Sequence, residues 1–338
     1  MIGRALGWSP AIVFITACLG IIPLAGLMGR STEYLSDRVG TAVGGLLNAT
    51  FGNACELIIA FAALRAGLID VVKASITGSI IGNILLVLGG SMLAGGLKYE
   101  VQTFNRTAAT TSATLLALAA ISLTVPATFH LVSPNSGHQN EIWLALVIAI
   151  VQITVYCLSL VFSLKTHSQL YTSPAGVDGE AATGTTGWGV KKSCMILGVA
   201  TILVAVLSEY LVLAVEEAAH MLGITQVFIG VVLVAIVGNA AEHSTAVLMA
   251  MKNKMDLSIN IALGSGSQIA LFVAPMIVFA SFAIGKPINL CFSSLEILSI
   301  VVSVIILSFV AMDGECNWLE GVQLLAVYAI LAAAFFFA

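Results

Sequence analysis

The chain is a succession of apolar runs, each about 20 residues or longer, parted by short polar connections. A helix needs roughly 20 apolar residues to cross the hydrocarbon of a bilayer. A window of that length predicts ten helices, over residues 9–29, 41–64, 69–95, 105–127, 141–164, 194–215, 225–250, 256–284, 289–311 and 317–338. The first follows Arg4 and could be taken for a signal peptide. It is too long for one, and Gly29-Arg30 offers no convincing small-residue cleavage site, so it is read as a helix. One sizeable hydrophilic connection, 165–193, is rich in Ser, Thr, Gly and Ala and reads as a flexible linker between two halves, 1–164 and 194–338.

Lysines and arginines orient this plan. Arg4, Arg65, Lys73 and Lys286 fall on the side of the N-terminus, while Arg30, Arg38, Lys98, Arg106, Lys165, Lys191, Lys192, Lys252 and Lys254 fall on the other. The richer side is expected to be cytosolic, which places both termini outside and the linker inside. Five helices per half is an odd number, so the halves must run through the membrane in opposite directions. The predicted class is therefore an all-α membrane protein of ten transmembrane helices, arranged as two inverted five-helix repeats.

Composition agrees with the bilayer. Of 338 residues, 59% are hydrophobic and 9% charged, whereas soluble domains carry about a quarter charged residues. The net charge of −4 forms no basic stripe, so nucleic-acid binding has no support. Cys18, Cys55, Cys157, Cys194, Cys291 and Cys316 mostly stand singly in apolar runs without metal-ligand spacing, and are read as small packing residues.

Within these runs one string recurs. Gly-Asn-Ala-Cys-Glu-Leu, 52–57, returns as Gly-Asn-Ala-Ala-Glu-His, 238–243, and the same offset of 186 pairs Asp70 with Asp256, Gly78 with Gly264 and Ser79 with Ser265. An ionised side chain costs roughly 2.5–3.5 kcal/mol at a helix centre on insertion scales, so Glu56 and Glu242 are expected to face the interior or a pathway. Asn53 and Asn239 each precede their glutamate by three residues and share its helical face. Glycines 44, 45, 52, 78, 82, 89 and 90, with 230, 238, 264 and 266 in the second half, suggest broken helices at the glutamates; close helix packing is the alternative.

Paired carboxylates in hydrocarbon point to a cation. Calcium takes six to eight oxygens at about 2.3–2.6 Å. Glu56 and Glu242 can supply up to four, with the amides of Asn53, Asn239, Asn83 and Gln268, the hydroxyls of Ser79 and Ser265, freed carbonyls and water as further candidates. Asn83 follows Ser79 by four residues and Gln268 follows Ser265 by three, so each pair can face one way. Charge then decides the coupling. Two carboxylates with one Ca2+ sum to zero, as do two carboxylates with two protons, whereas the bare pair is doubly negative in a low dielectric and cannot be occluded cheaply. Glu56 and Glu242 are thus expected to bind both the metal and the protons. The repeat and the paired acids imply a cation transporter; Mn2+ or Cd2+ would suit the same oxygens.

The segments GGLLNATFGNACELIIA, ITGSIIGNILLVLGG and IVGNAAEHSTAVLMAMKNKMDLSINIALGSGSQIALFVAP resemble the calcium/proton antiporters of the calcium:cation antiporter superfamily. Sodium/calcium exchangers typically carry Gly-Thr-Ser where this chain has Gly-Asn-Ala, which favours the proton-coupled branch over a sodium-driven exchanger. The resemblance implies five plus five inverted helices, a midplane calcium site, and first and sixth helices that slide against the rest. It implies Ca2+ as transported substrate, H+ as counter-ion, no organic cofactor and no enzymatic activity. Eukaryotic relatives carry an acidic stretch in the linker; here it holds Asp178 and Glu180, so no calcium-sensing role is expected of it.

Other polar residues have competing readings. His243 could relay protons, or be a satisfied buried histidine. Asn239 to His243 mimics the H-x-x-E-H zinc motif with Asn for the first ligand, which argues against zinc. Glu209 near the end of the sixth helix, with Glu216 and Glu217 beyond it, could form an outer entry funnel or be ordinary interfacial charges; Glu33 is similarly ambiguous on the cytosolic side. Glu296 is expected to hydrogen-bond locally near a membrane face, and Asp70 and Asp256 to cap the helices they begin. No zinc-protease motif, phosphate loop or nucleophile elbow is present, and the sequence does not speak to oligomeric state.

Overall fold

Each predicted apolar run folds as helix because a backbone in lipid must satisfy its own hydrogen bonds. The structure, a computed structural model, describes residues 7, 9–39, 41–133, 137–170 and 189–338. Its helices are α1 Pro10–Ser36, α2 Thr41–Phe51, α3 Ala54–Ala66, α4 Ile69–Gly96, α5 Arg106–Val132, α6 His138–Thr166, α7 Val190–Leu222, α8 Gln226–Gly238, α9 Ala240–Ala250, α10 Met255–Ala283, α11 Ser294–Val310 and α12 Trp318–Phe337. Among the described residues α1, α4, α5, α6, α7, α10 and α12 are each long and apolar enough to cross a membrane, and α8 with α9, bent by 62°, passes as a pair. Helix occupies all ten predicted stretches, but α11 has 17 residues, and α2 and α3, of 11 and 13 residues, are parted by a turn at Gly52-Asn53.

Several ends differ from the pattern-based bounds. α1 runs past Gly29-Arg30 to Ser36, and α7 runs to Leu222, where Gly223 at φ 67° closes it in the left-handed conformation. Glu216 and Glu217 therefore lie within α7, not beyond it. α11 starts late because Ser293 and Glu296 form a reciprocal capping box there, the local bond expected of Glu296. Asp70 and Asp256 do not cap: the cap positions are Leu68 and Lys254, and the aspartates stand in the first turn, where the helix dipole favours them. Asp256 accepts the backbone N–H of Asn105 instead. Most of the linker, 171–188 with Asp178 and Glu180, lies outside the described residues.

α4 and α10 form the centre. Burial covers 89% of the apolar stretch of α4 and 72% of that of α10, against 33% or less for α1, α5, α6, α7 and α12, whose outer faces are left for lipid. Each central helix widens by one residue per turn partway along, at Gly82–Val87 and at Ile269–Val273. Adding 186 to the first range reproduces the second within one residue, and Ile69 maps likewise onto Met255.

Glycines let this centre close. A Cβ on Gly78 would run into the backbone of Val231, and one on Gly230 would come within 2.6 Å of the Ala74 Cβ, so α4 and α8 touch backbone to backbone. Gly89 and Gly321 do the same between α4 and α12. Packing and helix breaking are thus both present, at different glycines. Away from the centre, α1 lies along α7, and a short antiparallel bridge pairs Gln102 with Cys316 and Thr103 with Glu315. The Gln102 amide also donates to Ala250 O (2.9 Å) and Asn253 Oδ1 (3.0 Å), tying three connections together. Cys18, Cys55 and Cys316 are buried as packing residues should be, whereas Cys157 and Cys194 are exposed on helix surfaces.

Candidate ion-binding site

Both recurring strings fold in the same way. Asn53 (φ −102°, ψ 24°) and Asn239 (φ −91°, ψ 7°) leave the helical region and break the chain between α2 and α3 and between α8 and α9. Glu56 and Glu242 consequently stand in the first turn of a new helix, whose positive end supports a carboxylate. A break at this depth is tolerated where it lines an ion path.

All six neutral candidates meet in one hydrogen-bonded network. The Asn53 amide donates to Gln268 Oε1, and Ser265 Oγ donates to Asn53 Oδ1 at 3.1 Å. The Asn83 amide donates to Ser265 Oγ (3.0 Å) and Asn239 Oδ1 (3.2 Å), and the Asn239 amide donates to Ser79 Oγ (3.0 Å) and Ala235 O (2.9 Å). Four helices thus contribute from both halves. Three acceptor oxygens of the candidate site have no hydrogen-bond partner: Glu56 Oε2 and Glu242 Oε2 beside the network, and Asn83 Oδ1 within it. An unpaired buried acceptor costs about 1–3 kcal/mol, more when charged, so oxygens left this way suit a cation or protons. Glu56 packs against Gly238, four residues before Glu242, so the two matched breaks meet.

A cavity of about 770 Å3 leads to the site from one face. Arg30 and Glu33 of α1, with Asp37 just beyond it, stand at its mouth; Phe51, Thr245 and Asn260 line its walls, and Glu242, Ser265, Gln268 and Gly238 its inner end. Glu56 lies behind Gly238 and is 9% exposed. On its other side a space of about 10 Å3 is lined mainly by apolar side chains, Ile59, Ala60, Ile76, Val234, Ile269 and Val273, with Ser75 and Ser79. One carboxylate therefore faces the open cavity and its partner faces a small, mostly apolar plug. A Cβ on Gly238 would stand 3.2 Å from Glu56 Cγ. Gly238→Val is accordingly expected to cut ion binding at least about tenfold while the protein still purifies intact, as read by calcium titration; unchanged affinity would show that Gly238 does not position Glu56.

The remaining candidates do not gather here. Glu209 is exposed and pairs with Arg65 at 3.2 Å, and it is not among the residues lining the cavity. Glu216 and Glu217 are exposed on α7, and His243 is half-buried after Glu242 but outside the network. Sequence reasoning missed the cavity's Asn48, Asn260 and Thr245, polar residues in apolar helices that could have been flagged by their cost in lipid. Glu33 is placed at the mouth.

The family model described as sodium/calcium exchanger protein matches residues 9–165 and 192–337. A Ca2+/H+ antiporter of Aphanothece halophytica is 47% identical over all of this chain and 93% of its own length. The solved structure of native YfkE is 41% identical, covers 100% of this chain and 95% of its own, and superposes with a TM-score of 0.86. A solved sodium-calcium exchanger, 18% identical over 96% of this chain and 98% of its own, has a TM-score of 0.59 and shares the fold alone.

Proposed function

The chain belongs to the sodium/calcium exchanger protein family, and from that premise we propose that it is a secondary antiporter exporting Ca2+ from the cytosol in exchange for H+, by alternating access around Glu56 and Glu242. The observation that carries this reading is the set of unpartnered carboxylate oxygens at two matched helix breaks, backed by amide and hydroxyl groups from both halves. Its relatives named Ca2+/H+ antiporter support the choice of ions. The 186-residue correspondence of breaks and widened turns supports ten spans in two inverted repeats, 1–164 and 194–338, joined by a cytosolic linker, with both termini outside. In that orientation the cavity mouth at Arg30, Glu33 and Asp37 faces the cytosol.

In this scheme calcium enters along the cavity and displaces protons from Glu242 and Glu56. Asn53, Asn83, Asn239, Gln268, Ser79 and Ser265 supply or orient neutral oxygens. Closing the cavity and parting the plug around Ile59 and Ile76 then presents the ion to the far side. The doubly ionised site is barred from that step by its charge, so calcium leaves only when protons replace it, at no fewer than two per ion.

Liposomes holding the purified protein test this when calcium and proton fluxes are recorded together. A pH gradient should drive calcium uptake without sodium, with protons counted out at two or more per ion. Uptake driven by sodium and indifferent to the pH gradient would make the protein a sodium exchanger, and calcium current without counter-ion would make it a channel.

A further inference from the structure

A second group of metal-ligating side chains lies at the end of the molecule opposite the cavity mouth. His130 is near the end of α5, Glu141 lies in the first turn of α6, and Cys291 lies in the segment leading to α11. One donor atom from each lies within 4.8 Å of the other two. His130 Nδ1 is 2.5 Å from Glu141 Oε1, Cys291 Sγ is 3.9 Å from Glu141 Oε2, and His138 Nδ1 is 3.6 Å from the same oxygen. Leu164, near the far end of α6, lines the cavity mouth, roughly 35 Å away at 1.5 Å per residue. This cluster is thus not part of the transport site.

Its chemistry differs as well. Calcium selects hard oxygens, whereas an imidazole, a thiol and a carboxylate gathered within 4.8 Å of one another are the donor types of Zn2+ and similar borderline ions. The supporting contacts of a metal site are also in place. The Asn289 amide donates to Glu141 Oε2 (2.9 Å), and Lys73 Nζ donates to Asn289 Oδ1 (3.1 Å) and to the Cys291 carbonyl (2.8 Å), which orients both the carboxylate and the thiol-bearing segment. Glu141 is held at 10% side-chain exposure while His130, at 58%, leaves an approach from solvent.

We propose that His130, Glu141 and Cys291, with solvent at the fourth position, form a binding site for a Zn2+-class divalent ion, distinct from the site that carries calcium. The ion takes the thiolate, and the thiol proton passes to solvent. Because the ligands come from α5, α6 and the segment before α11, occupancy ties elements of both halves together on that face.

Cobalt(II) is the probe, added to full-length protein carrying Glu56→Gln and Glu242→Gln so that the central carboxylates are neutral. One equivalent should give a near-ultraviolet sulfur-to-cobalt charge-transfer band with tetrahedral d–d absorption, displaced by Zn2+. Cys291→Ser should abolish the charge-transfer band, and His130→Ala should weaken binding at least about tenfold. The same titration of the wild-type chain in excess Ca2+, which fills the oxygen site and leaves the thiol free, gives an independent reading should the double variant not fold. Folding of Cys291→Ser is checked by its calcium/proton exchange in the otherwise unaltered chain. No charge-transfer band at saturating cobalt, or a band that survives Cys291→Ser, would overturn the proposal.

Discussion

Glu56→Gln and Glu242→Gln should each reduce calcium uptake into liposomes more than about 100-fold. Removing one charge from a buried, compensated group costs about 3–5 kcal/mol, and each 1.4 kcal/mol is a factor of ten. With one carboxylate left, a bound Ca2+ would give the site a net positive charge, and occlusion would be opposed as it is for the empty ionised pair. Glutamine keeps the shape, so both variants should still purify as folded protein with thermal midpoints near that of the parent. Uptake that persists in Glu56→Gln would refute the exchange mechanism.

The second large effect is on pH. If each calcium ion displaces two protons from the pair, apparent calcium affinity at the cavity side should fall about 100-fold per unit of acidification wherever both carboxylates hold their protons. It should become independent of pH once both are ionised, so affinity rises with pH and then levels. Half-saturating calcium, measured at fixed far-side pH while the cavity-side pH is varied, gives the slope. A slope of one decade per unit would mean that a single carboxylate exchanges protons, and a flat profile would remove protons from the site altogether.

Much of the candidate site was legible because its residues recur at one offset and sit where they are costly. Asn53 and Glu56 are bound to Asn239 and Glu242 by sequence alone, and Asn83 and Gln268 followed from helical spacing to Ser79 and Ser265. All six neutral residues then meet in a single network. Helix ends were less legible. Gly29 inside α1 looked like a stop because glycine weakens a helix, yet tertiary contact with α7 carries α1 on to Ser36. Asp70 and Asp256 looked like caps because the residue type fits both the cap and the first turn, and only the local backbone separates the two. The difference between Glu56 and Glu242 was invisible, since equal motifs acquire unequal surroundings only when the halves pack. The His130, Glu141 and Cys291 cluster was out of reach for a related reason: no spacing rule joins positions that far apart in the chain.

The screening of Glu56 by Gly238 has a kinetic corollary. An arriving hydrated ion meets Glu242 and the polar inner end first, and can surrender its water there a molecule at a time before it engages the second acid, past a position where only a glycine leaves room. Capture and commitment are thereby separated in space. Arrival rates should answer to the side chain at 242, and dwell times to the one at 56.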